Sequence, residues 1–178
     1  MMKQTMAAML AALALAVTAP GAHAGSADAL APKALSAEEV EDLTAGHGMG
    51  LARAAELNHY PGPRHVLDLG DRLGLTPDQR STAEALFAEV QRDAGSLGQE
   101  IIADERALDA MFASGGAELG AVDAMVTRIA DRRGRLRFVH LAAHVKMRAL
   151  LTPHQIALYD SLRGNDADAA QGMHDHMP

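Results

Sequence analysis

Leu73-Gly-Leu-Thr-Pro-Asp-Gln79 returns later in the chain as Ala149-Leu-Leu-Thr-Pro-His-Gln155. Each residue of the shared Leu-Thr-Pro-x-Gln signature has a physical task. Leu75 and Leu151 are apolar residues just outside a helix. Thr76 and Thr152 are N-caps, whose hydroxyls accept from the backbone N–H at N3. Pro77 and Pro153 occupy N1, where a missing N–H is tolerated and φ is preset for a helix. Gln79 and Gln155 stand at N3 and reach back to the cap N–H, closing a capping box. The two boxes therefore open two helices and bracket whatever lies between them.

What lies between is helical. From Pro77 to about Phe112 the apolar line Ala83, Leu86, Phe87, Val90, Ala94, Leu97, Ile101, Leu108 and Met111 steps by threes and fours, which is one buried seam. Gly95, Ser96 and Gly98 interrupt it and predict a bend. Ala113-Ser-Gly-Gly116 is a reversal. A second long helix, from about Ala117 to Leu150, turns Leu119, Val122, Val126, Ile129, Leu136, Val139 and Met147 inward. A short loop between long amphipathic helices makes an antiparallel hairpin. The second box opens a last helix with Ile156, Tyr159 and Leu162 on one face, and Gly164 stops it.

Upstream, Ser36-Ala-Glu-Glu39 is a third capping box, opening a short helix to about Thr44. Gly46-His-Gly-Met-Gly50 is a loop carrying a histidine and a thioether. Leu51 to Leu57 reads as a short helix and Tyr60-Pro-Gly-Pro63 as a turn. Pro63 opens a helix through Leu73, which buries Val66, Leu67, Leu69 and Leu73 and ends at Gly74.

The start of the chain reads as an export leader: Lys3, an apolar stretch from Met6 to Val17, and Ala22-His23-Ala24 as the cleavage site. No apolar run is long enough for a comfortable membrane span. The expected divisions are a leader over residues 1–24, a flexible N-terminal segment over 25–62, the hairpin domain over 63–164 and a disordered tail over 165–178. Removing the leader takes Lys3 and no acid, so the net charge goes from −7 to −8. That balance argues against nucleic acid as a partner. Cysteine is absent, so disulfides and thiolate sites are excluded.

The paired motifs and their spacing resemble the periplasmic LTxxQ family, that of Spy and CpxP with the related heavy-metal-resistance and metal-sensor proteins. The resemblance runs from about Val66 to Gly164. It implies an interlocked dimer, a role in envelope stress or metal resistance, and unfolded proteins or a sensor-kinase or regulator domain as partners. A long hairpin that buries one stripe and leaves a flank open leads to the same homodimer expectation.

His140-Leu-Ala-Ala-His144 is the sharpest candidate site. Histidines four apart on a helix share a face, and two imidazoles there suit a soft or borderline divalent metal. Met147 lies a turn further on. With the chain reversing near Gly115, residues whose numbers sum to about 230 face each other. Glu84 and Glu89 then come within reach and offer an N/N/O set. The competing reading is structural, with each imidazole satisfied by a carboxylate or a core polar group. In the nickel/cobalt-sensor branch of the family, Met147 matches a ligand methionine. Ala143 stands where the histidine should be, Phe87 lies near the carboxylate position, and the paired N-terminal histidines have no match, so that particular metal sphere is absent.

Two looser groups follow. The tail carries Met173, His174, His176 and Met177, and His47 and Met49 sit in the glycine loop with His59 and His65 close behind. Mixed imidazole and thioether donors suit copper or zinc. An unselected polar tail is the alternative. Arg128, Arg132, Arg133, Arg135 and Arg137 crowd one part of the second long helix; resemblance to the chaperone branch implies a client-binding surface, and the alternative is a solvated face paired with acids. No metalloprotease, P-loop or nucleophile-elbow motif is present, so an enzyme is not expected.

The sequence thus leads to an all-α protein: a long, bent, antiparallel helical hairpin with short flanking helices, in an interlocked dimer outside the cytosol. The expected role is a metal-responsive stress or heavy-metal-resistance accessory with ATP-independent holding activity. The alternative is a dedicated sensor or buffer for Zn, Cu or Ni.

Overall fold

The structure, a computed structural model, describes residues 32–174, with side chains through residue 164. The leader and the ligand-bearing side chains of the tail lie outside the described residues. The described chain is all-helical: α1 (Ala37–Ala45), α2 (Arg53–Glu56), α3 (Pro63–Asp68), α4 (Gly70–Leu73), α5 (Pro77–Ala113), α6 (Leu119–Leu150) and α7 (Pro153–His174).

The three capping boxes start α1, α5 and α7. Glu39 N–H donates to Ser36 Oγ at 3.1 Å and Gln79 N–H to Thr76 Oγ1 at 3.1 Å. Gln155 N–H donates to Thr152 Oγ1 at 3.3 Å. The glutamines do more than cap. Gln79 Nε2 donates to Gln155 Oε1, and Gln155 Nε2 to Gln79 Oε1, each at 3.0 Å. Gln79 Nε2 also donates to Leu150 O at 3.0 Å, while Gln155 Nε2 lies 3.4 Å from the carbonyls of Leu73 and Gly74. This explains glutamine at N3 in place of glutamate: a carboxylate would cap its own helix, but two facing carboxylates would repel and could donate nothing. The two motifs thus form one clasp.

α5 and α6 pair in opposite chain directions. Glu89 meets Lys146, Glu100 meets Arg132, and Asp104 meets Arg128 and Arg132. Two apolar clusters lie against this pair. One joins Val66, Leu73, Ala83, Leu86, Val90, Ala143, Met147, Leu151, Tyr159 and Leu162. The other joins Leu35, Leu43, Ala94, Ile101, Ile102 and Leu136. Burial of each large aliphatic side chain contributes roughly 1.5–3 kcal/mol.

Three expectations change. The α3–α4 stretch is not continuous: Leu69, with φ −95° and ψ 5°, separates two short helices. α7 does not stop at Gly164 but runs to His174, because a glycine weakens a helix without forbidding it. Leu119 is 91% and Val126 50% exposed; helical spacing gives them an apolar face, but no described element packs on that end. α5 runs as one helix through Gly95 and Gly98, and these glycines also serve contact with α1. A Cβ on Gly98 would lie 1.9 Å from the Leu43 carbonyl oxygen, and one on Gly95 would lie 3.1 Å from that of Thr44.

Candidate functional site

The chain between α1 and α3 crosses α6 and is strapped to it. Arg148 donates to the His59 carbonyl and stacks over the Tyr60 ring, 4.6 Å from its centroid. His144 Nδ1 lies 2.8 Å from the Tyr60 carbonyl. Gly62 follows, where a Cβ would approach His144 Cε1 to 2.8 Å and Nε2 to 3.0 Å. Only a glycine leaves that edge of the imidazole clear. From α7, His59 Nδ1 is held by Asp160 Oδ2 at 2.8 Å.

Beneath this strap lies a cavity of about 430 Å³ between the N-terminal segment and the α5–α6 pair. α6 contributes His140, Ala143 and His144; α5 contributes Phe87, Val90 and Gln91; the glycine loop contributes His47 and Met49; α3 contributes Pro63, Arg64, His65 and Asp68. His140 and His144 are buried at 7% and 6% exposure. His140 Nε2 is buried with no hydrogen-bond partner. An orphaned buried nitrogen is rare, because leaving it unpaired costs about 1–3 kcal/mol.

Burial lowers the pKa of His140, and the neighbouring His144 lowers it further. Burial likewise lowers that of His65, with the Arg163 charge adding to it. Both rings are therefore neutral at neutral pH, the form that can give a lone pair to a metal. His144 donates Nδ1–H to a carbonyl, which can only accept, so its neutral ring carries the lone pair on Nε2.

Several expected site residues are placed elsewhere. Glu89 is exposed and accepts from Lys146 Nζ at 3.0 Å, and Glu84 is exposed as well. The N/N/O set is not assembled: among the described residues no three His, Cys, Asp or Glu side chains are grouped closely enough to hold an ion. Met147 is fully buried in the apolar cluster that includes Ala143. His59 is taken by Asp160, whereas His47, Met49 and His65 share the cavity with His140 and His144. Two groups that look separate in the sequence thus line one cavity. Tyr60, Gly62 and Gln91 are its lining and bracing residues that the sequence does not flag.

The arginines divide. Arg128 and Arg132 both bind Asp104, whose side chain is 9% exposed, and Arg132 also meets Glu100 at 3.0 Å. Arg133 meets Glu105 at 2.9 Å. Among the described residues Arg135 and Arg137 are exposed and make no ion pair. No helix of the described residues is long and apolar enough to cross a membrane.

Compared with known proteins, the chain matches no family model, no curated protein and no solved structure.

Proposed function

We propose that this is an exported, metal-responsive accessory protein of the LTxxQ type, acting in envelope stress or heavy-metal resistance. It binds a soft or borderline transition-metal ion at His140 and His144 and performs no catalysis. The observation that carries the metal reading is the buried, unpartnered Nε2 of His140 beside a second buried imidazole, His144, at the wall of a cavity. The donor chemistry fits: neutral nitrogens suit zinc, copper or nickel and not magnesium or calcium. The paired LTPxQ boxes support the family reading, and Ala22-His-Ala24 supports export. The bent hairpin and the interlocked dimer belong to this proposal too. The test is calorimetric titration of the exported chain with Zn(II), Cu(II) and Ni(II). Binding at micromolar affinity or tighter is expected, lost in His140→Ala/His144→Ala and retained when residues 165–178 are removed. An intact protein that binds none of the three contradicts the reading.

A second activity has its own observation. Phe138 is 69% and Val145 58% exposed on α6, near the unpaired Arg135 and Arg137. A surface mixing apolar and basic groups suits holding an unfolded client. Suppression of light scattering from a denatured client, reduced in Phe138→Ser, is the expected result. Absence of suppression at equimolar protein removes this activity.

A further inference from the structure

We propose that His47, with Met49 beside it on the glycine loop, completes the sphere of the ion held by His140 and His144, so that the metal staples the N-terminal segment to α6. This rests on the metal reading of the cavity and adds to it the ligands and the consequence.

The first argument is the state of the rings. His47 Nδ1 lies 2.8 Å from Asp42 Oδ1, and an ionised carboxylate can only accept. In the neutral ring Nδ1 therefore keeps the proton and Nε2 carries the lone pair. His144 reaches the same tautomer through the Tyr60 carbonyl. His140 has its Nε2 buried without a partner. Imidazoles that ligate metals are commonly set this way, with the other ring N–H given to a protein oxygen. Here two such braces, Asp42 and Tyr60, converge on one cavity from elements far apart in the chain.

The second argument is the loop. Gly46 is a fixed post. Its φ is 68°, and a Cβ there would lie 2.7 Å from the Gln91 carbonyl oxygen and 2.9 Å from the Gly95 nitrogen. Beyond it, Gly48 and Gly50 have open space around them. His47 and Met49 thus sit on a short segment pinned at Gly46 and again by the turns in which Leu51 N–H donates to Gly48 O and Arg53 N–H to Gly50 O, with room for movement at Gly48 and Gly50. The described residues hold no closed ligand group, so closure is inward travel of this loop onto α6. Three imidazoles and one thioether, with no thiolate, favour copper and zinc, and the sulfur tilts the preference to copper.

The test uses the exported chain with Zn(II) and Cu(II), reading affinity by calorimetry and amide exchange over residues 46–50 by mass spectrometry. Metal is expected to slow exchange in that loop. His47→Gln is expected to weaken binding at least 10-fold and abolish the protection, with the metal-free thermal midpoint unchanged. Asp42→Ala is expected to weaken binding less. If His140→Ala/His144→Ala abolishes binding while His47→Gln alters neither affinity nor loop exchange, the staple is wrong and the two-histidine site stands. If the intact chain binds no metal, or the double variant binds as well as wild type, the metal reading itself fails.

Discussion

The two ends of the α5–α6 pair are built on different principles. At the LTPxQ end, α1, α3, α4 and α7 clad the pair, and Val66, Ala83 and Met147 are fully buried. Towards the Ser114–Gly115 turn, no residue between Asp104 and Ile129 is buried, and Leu119 and Phe112 are 91% and 59% exposed. Both ends carry apolar residues at helical spacing. The difference is whether anything packs on them. The clad end can hold a cavity with desolvated histidines, because only there does the chain exclude water. The bare end leaves apolar side chains exposed that no described element covers.

This contrast is breakable, and the largest effect comes from its best-packed side chain. Met147→Ala is expected to destabilise by about 2–5 kcal/mol, whereas Leu119→Ala in the monomer changes stability by no more than about 0.5 kcal/mol. Urea denaturation of the two variants side by side measures the gap; equal losses would erase the distinction between the ends. Gly98→Ala sharpens it further. The new methyl group meets a backbone oxygen that cannot rotate away, and overpacking of this kind costs about 1–3 kcal/mol. Limited proteolysis should then cut near α1, while Gly120→Ala at the bare end, with open space around it, leaves the digestion pattern unchanged.

The smallest effect is on pH. His140 and His65 have pKa values lowered in the folded state, chiefly by burial. The unfolded chain therefore binds protons that the folded chain refuses once pH falls below the ordinary histidine value of about 6.5. The metal-free protein should be equally stable at pH 7 and 8 and lose stability as pH drops from 6.5 towards the lowered values. Thermal midpoints in a pH series check this, and His140→Gln should flatten the decline.

Which features the sequence made legible follows the same division between local and distant causes. Ser36, Thr76 and Thr152 act on N–H groups three residues away, so their caps could be read directly. His140 and His144 could be placed on one face for the same reason. The brace on His144 is the Tyr60 carbonyl, 84 residues distant, and no spacing rule reaches it. Gly98 carries a real signal, a glycine in a helix, but its cause lies in the Leu43 carbonyl of another element. Leu119 and Val126 are exposed against expectation because periodicity reports an apolar face and says nothing of a cover. Gln79 and Gln155 are legible as caps, while their mutual bond needs the two helix starts to be brought together.

The most direct test of the central claim follows the imidazole resonances of the chain from residue 25 onward by two-dimensional NMR during addition of Zn(II). The account predicts that the ring signals of His140 and His144 shift or broaden together and saturate at one ion per chain. Those of His154, exposed within the second LTPxQ box, should stay in place. Unmoved signals from His140 and His144 at stoichiometric metal would contradict it.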